Sequence, residues 1–183
     1  MNEIVKANAS KYGLILAGIS VGFALLAYLI DITLMVNMGL GISMWVLGLV
    51  VLVAAVIASK KGMGGFISFK DAFSTFIIGY IISALIGTTF LIVLFNVVDT
   101  GAADQLQEIT IEKTIDMMEQ FNVPEDQMLK QIEELEATSQ FDIVNQVKGF
   151  FMAVVGYALI GLIVAAIVKK EKPLIYQDNE DAN

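Results

Sequence analysis

The sequence predicts an all-α membrane protein: a four-helix transmembrane bundle with an extramembrane acidic helical hairpin between spans three and four. Three observations predict it. Apolar residues make up 57% of the chain, and they fall in long unbroken runs instead of being dispersed at a helix or strand period. The formal charge is −8, but most of the acids crowd into Asp99–Gln146 and the tail, while lysines flank the apolar runs. The length suits one membrane domain, 1–183, with one small extramembrane element.

Composition also removes whole classes of chemistry. All 11 basic residues are lysine, so the planar fork that arginine offers to phosphates and guanines is missing, and nucleic acid is not an expected partner. With no histidine and no cysteine there are no thiol nucleophiles, disulfides, imidazole or thiolate metal sites, and no triad with a histidine base. No phosphate-binding loop, zinc motif or serine elbow is present. The expectation is a non-enzymatic chain with no catalytic residue, no cofactor and no metal site. Glu133, Glu134 and Glu136 lack the glycine-punctuated spacing of a calcium loop and read as a solvated face.

The first span is expected over about 12–30, after a short polar start carrying Glu3, Lys6 and Lys11. Its apolar run exceeds the roughly 7–15 residues of a secretory signal and lacks a small-x-small cleavage site, so it reads as an uncleaved span. Asp31 follows, about 30 Å along the helix from Lys11, and is placed at the far interface. As a carboxylate at a span end it is also one of two candidate intramembrane polar residues, with Asn96. Ile32–Ser43, with Asn37, Gly39 and Gly41, reads as a turn in the interface. The second span is expected over about 42–59, opening near Trp45 and ending at Lys60 and Lys61.

Gly62, Gly64 and Gly65 break that helix. Ser68-Phe69-Lys70-Asp71 is a capping-box pattern that starts a third span over about 70–98, long enough to tilt or to project its last turn, near Asn96, into water. The hairpin is expected over about 102–138. Asp104, Glu108, Glu112, Asp116 and Glu119 share one face of its first helix, and Leu106, Ile111, Met118 and Phe121 lie largely opposite. Asn122-Val123-Pro124 breaks it, with proline set to open the second helix. There Met128, Ile132 and Leu135 share a face with Leu129. Seven residues form the candidate partner surface: Leu106, Ile111, Met118, Phe121, Met128, Ile132 and Leu135. These apolar faces are covered by each other, by the span ends or by a partner. Ser139-Gln140-Phe141-Asp142 repeats the capping pattern before a fourth span over about 147–168, which ends in Lys169, Lys170 and Lys172. The tail 174–183 is expected to be disordered.

Four spans put both termini on one side together with Lys60, Lys61 and Lys70, and the excess of lysine there places that side in the cytoplasm. Small residues recur every four positions at Gly18 and Gly22, at Gly79, Ser83 and Gly87, and at Gly161 and Ala165, which suits close helix packing and leaves self-association open.

The segment Gly65-Phe66-Ile67-Ser68-Phe69-Lys70-Asp71-Ala72-Phe73, the Lys11 and Gly13 that open the first span, and the acidic insert before the fourth resemble a family of small four-span bacterial inner-membrane proteins, typical of Bacteroidetes and catalogued as a domain of unknown function, DUF 4199. The resemblance implies the architecture and a bacterial cytoplasmic membrane, and carries no catalytic residue. The functional expectation is an accessory or scaffold protein whose outward hairpin binds an envelope partner. A subunit of a small-solute or ion transporter or channel is the alternative.

Overall fold

The computed structural model describes residues 2–172, so the expected disorder of 174–183 falls outside the described residues. Six α-helices follow one another among the described residues: α1 Glu3–Ile30, α2 Met38–Gly62, α3 Phe69–Val93, α4 Thr100–Gln120, α5 Glu125–Ala137 and α6 Ile143–Val168. Helix α3 is prolonged by a π turn, Leu94–Val98, and a 3-10 turn, Ile32–Val36, joins α1 to α2. There is no strand among the described residues, and a single antiparallel bridge pairs Ile67 with Lys170. Among the described residues, four helices are long and apolar enough to cross a bilayer: α1, α2, α3 with its π turn, and α6.

Side chains set the helix limits. Helix α1 begins at Glu3, well before the expected apolar run, because Val5 and Ala9 are fully buried and make the polar-looking start a packed helix turn. It stops at Asp31, whose carboxylate accepts the Thr33 N–H at 2.9 Å and caps the 3-10 turn instead. Helix α2 opens at Met38, inside the stretch expected to be an interfacial turn, because the Asn37 side-chain oxygen accepts the Leu40 N–H at 3.1 Å. Ser68 caps α3 as its spacing suggests: its Oγ accepts the Asp71 N–H at 3.0 Å and donates to Asp71 Oδ2 at 2.7 Å. The second pattern of this kind works differently. Ser139 Oγ accepts the Phe141 N–H at 3.2 Å, so Ser139–Asp142 folds as a turn and α6 starts only at Ile143.

The chain forms two compact units. One comprises Met1–Ile19, Trp45–Ala84 and Met152–Asn183. Its core is Leu16, Leu52, Val56, Ile67, Ala72, Phe76 and Ala165. Backbones approach closely there. A Cβ on Gly13 would lie 2.7 Å from the Gly79 carbonyl oxygen, and one on Gly161 would lie 2.8 Å from a Phe76 ring carbon. Tyr80 and Tyr157 stack with centroids 3.7 Å apart and planes 10° from parallel. The fully buried hydroxyls of Thr75 and Ser59 lie 3.4 Å apart, with Thr75 also donating to the Asp71 carbonyl at 2.8 Å. The other unit comprises Ser20–Met44 and Leu85–Phe151. Its core is Leu94, Phe95, Ala102 and Leu106, packed by Tyr28, Ile32, Met35 and Phe141.

Of the small-residue stripes, Gly79 and Gly161 meet neighbouring helices, but Gly18, Gly22 and Gly87 have nothing within 4 Å of a built Cβ. The residue that does the close packing on α1 is Gly13, against a backbone oxygen that cannot swing away. Gly13→Ala is therefore expected to destabilise the protein by about 1–3 kcal/mol, as overpacking does. Gly18→Ala, in open space, is expected to be neutral or slightly stabilising through helix propensity. Thermal unfolding of both variants in one mild detergent checks the contrast.

Candidate functional site

Two places gather polar and apolar side chains beyond what a span requires. The first is built on α4 and α5. Helix α4 is rooted by Asp99, whose Oδ1 accepts the Ala102 N–H at 2.9 Å and whose Oδ2 accepts the Tyr28 hydroxyl at 2.8 Å. The Ala102 N–H first, then the Tyr28 hydroxyl, hold the Asp99 carboxyl below the ordinary carboxylate range. One turn on, Leu106 is fully buried against Leu94, Phe95 and Ala102. Gln107 then ties α4 to the end of α5 and the turn before α6: its amide donates to the Leu135 carbonyl and its oxygen accepts the Gln140 N–H at 3.2 Å. Phe141 packs edge-on against Phe95, with centroids 5.4 Å apart.

Further from this root the apolar side chains lose their cover. Phe121, at the end of α4, is 76% exposed, and Leu129 on α5 is 63% exposed. Between them Asn122 adopts a left-handed φ of 51°, a conformation asparagine tolerates better than most side chains, and Pro124 precedes α5. Ile111, Met118, Met128, Ile132 and Leu135 are half-buried. The expected partner surface therefore divides. Leu106 is withdrawn from it, because the residues at the end of α3 fill the space around it. Phe121 remains fully available, and the other five are partly so. Leu129, on the shared face of α5, and the exposed Met117 extend the surface.

Asp31 and Asn96, the two candidate intramembrane polar residues, do structural work. Asp31 is exposed and held below the ordinary carboxylate range by hydrogen bonds from Thr33, side chain first and then backbone, with the Lys113 charge adding to them. Asn96 sits in the π turn, where its Nδ2 donates at 3.1 Å to both the Ile92 and the Phe141 carbonyls. A π turn shifts the hydrogen-bond ladder by one residue, as in the 2.8 Å bond from Asp99 N–H to the Leu94 carbonyl, and the Asn96 amide donates to the Ile92 carbonyl beside it. The Tyr28–Asp99 pair left no periodic signal, since its members are 71 residues apart.

The second place is the turn between α2 and α3. Gly64 and Gly65 take φ values of 72° and 88°, which lets the chain reverse within a few residues. Ile67 then pairs with Lys170 through two backbone hydrogen bonds of 2.8 and 2.9 Å. The Lys60 ammonium donates at 2.7 Å to the Val168 carbonyl, closing the C-terminal end of α6. The Lys170 ammonium lies 5.3 Å from the centroid of the Phe66 ring. The start of the Gly65–Phe73 segment, which carries part of the family resemblance, thus shapes this turn. Among the described residues, no group of three or more acidic side chains is arranged to hold a metal ion.

Helix α6 buries only 11% of its most apolar window within the chain, and α1, which buries most, only 28%. Helices this apolar and this uncovered need a hydrocarbon surround, and four of them define a multi-pass membrane protein. The chain belongs to a particular family of unknown function: the profile described as "Protein of unknown function (DUF4199)" matches residues 11–170. No curated protein and no solved structure matches it.

The lowered value of Asp99 fixes a sign. A carboxyl with a folded pKa below its unfolded one stabilises the folded state above the ordinary carboxylate range, and that contribution is lost as pH falls through the lowered value. Amide exchange at residues 100–106 is expected to stay slow down to the ordinary carboxylate range and to quicken as the pH drops further. In Asp99→Asn that acid-driven step should shrink, and in Tyr28→Phe it should move to higher pH.

Proposed function

We infer that this chain is a non-enzymatic accessory or scaffold protein of the bacterial cytoplasmic membrane. Both termini lie in the cytoplasm, and α4 and α5 form an acidic helical hairpin on the outer face of that membrane, where it holds another envelope protein. The bias of lysines toward Lys6, Lys11, Lys60, Lys61, Lys70, Lys169, Lys170 and Lys172 supports this orientation.

The observation that carries the partner is the contrast along the helix pair: a root fixed by Leu106 and Asp99, and an end where Phe121 and Leu129 stand in solvent. A rigid root and an exposed aromatic anchor form the arrangement of an interface hot spot. Covering one such side chain is worth about 1.5–3 kcal/mol, roughly one to two powers of ten in affinity. Glu119, Glu125 and Asp126 lie within five residues of Phe121 in the sequence, and Glu133 lies four after Leu129, so the partner surface is basic around an apolar socket, and a second copy of the same acidic hairpin is disfavoured.

A photo-crosslinking phenylalanine analogue placed at position 121 or 129 and irradiated in the native membrane is expected to trap one discrete partner protein. The same analogue at position 106 should give only intrachain products. Leu129→Asp should weaken the adduct formed at position 121 by about tenfold or more, as loss of a buried anchor does. Adducts with lipid alone, or equal capture from positions 106 and 121, would defeat this reading.

A further inference from the structure

A cleft of about 540 Å³ lies beside the Phe66–Asp71 turn. Met63 and Phe66 form its apolar wall, and Lys170, Lys172, Asp71 and Glu171 bring charges of both signs to it. Several of these groups are held in place without being used up. Two backbone hydrogen bonds to Ile67 pin Lys170, whose ammonium has the Phe66 ring as its only side-chain partner among the described residues. Asp71 accepts the Ser68 hydroxyl on Oδ2, leaving Oδ1 without a partner among the described residues. Glu171 has no hydrogen bond or ion pair among them.

The sign pattern selects the ligand. An anion would gain from the lysines and lose to the two carboxylates, and a cation would meet the reverse. A ligand with a phosphate and an ammonium a few ångströms apart satisfies both. The setting narrows the choice further. At 28 and 25 residues, α1 and α2 are about 42 and 37 Å long, longer than the roughly 30 Å hydrocarbon core and close to the full bilayer with its headgroups. Residues at their ends, such as Met63 just after α2, therefore lie at headgroup depth. We propose that this cleft seats the headgroup of an aminophospholipid, with its phosphate on Lys170 and its primary ammonium on Asp71 and Glu171, and Phe66 against the glycerol. This is a site separate from the α4–α5 surface and independent of what binds there.

Native mass spectrometry of the full-length protein in mild detergent tests it, with phosphatidylethanolamine, phosphatidylglycerol and phosphatidylcholine offered at equal ratios. One phosphatidylethanolamine is expected to be retained over phosphatidylcholine, whose quaternary ammonium cannot donate hydrogen bonds to the carboxylates. Lys170→Gln should reduce its retention by about fivefold, the effect of one interfacial charge. Glu171→Lys should move the preference to phosphatidylglycerol, which a merely structural residue would not do. Both side chains are exposed beyond the end of α6, and unchanged unfolding temperatures would show that the fold is intact. Soluble glycerophosphoethanolamine is the second arm. If it competes at millimolar concentration, the same headgroup chemistry holds with a free headgroup as ligand; if it does not, the ligand is the lipid. Preference of the unaltered protein for phosphatidylglycerol, equal retention of all three lipids, or retention that ignores both substitutions would overturn the proposal.

Discussion

A backbone N–H or carbonyl that enters hydrocarbon has to find its partner inside the chain, because no water is there to take its place. That constraint orders the whole molecule. The four long helices run without proline and close their own hydrogen bonds. Irregular backbone gathers at helix ends, and at several of them a side chain supplies the missing partner. Asp31 takes the Thr33 N–H, Asn37 that of Leu40, Ser68 that of Asp71 and Asp99 that of Ala102. Carbonyls are treated in the same way: Lys60 covers that of Val168, and Asn96 that of Ile92. Several polar residues at the ends of the apolar runs thus serve as caps.

Within hydrocarbon the hydrophobic effect does not draw helices together, so contact has to come from shape. The unit containing the start of α1 shows how: Gly13 lets α1 reach the Gly79 backbone, Gly161 receives the Phe76 ring, and Tyr80 stacks on Tyr157. The unit containing α4 combines apolar burial with directional hydrogen bonds. Leu106 and Phe95 are almost completely buried, and Tyr28 and Gln107 supply directional hydrogen bonds around them. That root holds α4 firmly, whereas Phe121 and Leu129 have no comparable support.

The sequence makes some of this legible and hides the rest for physical reasons. Long apolar runs reveal the four membrane-crossing helices because a bilayer demands length and composition, both of which are local properties. Ser68 and Asp71 reveal a cap because its chemistry closes within four residues. The same four-residue pattern at Ser139 misleads, since Ser139 closes a tighter bond to Phe141 and α6 waits until Ile143. Helical periodicity groups Leu106 with Phe121, yet one is fully buried and the other 76% exposed. Period identifies a shared face; it carries no information about which part of that face the rest of the chain covers. The Gly18–Gly22 stripe misleads for the same reason, and the pairing of Tyr28 with Asp99 or Ile67 with Lys170 depends on contacts far apart in sequence.

Charge completes the picture. Lysines collect near the start of α1, the α2–α3 turn and the end of α6, and carboxylates collect on α4 and α5. In the proposed orientation a membrane separates these two populations. The chain has no cysteine, so single-cysteine variants report on this directly. Ala7→Cys and Gln127→Cys both alter exposed positions. In intact cells with a permeabilised outer membrane, a membrane-impermeant maleimide should label Gln127→Cys and reach Ala7→Cys only after the cytoplasmic membrane is broken. Labelling of both before lysis, or of Ala7→Cys alone, would contradict the account.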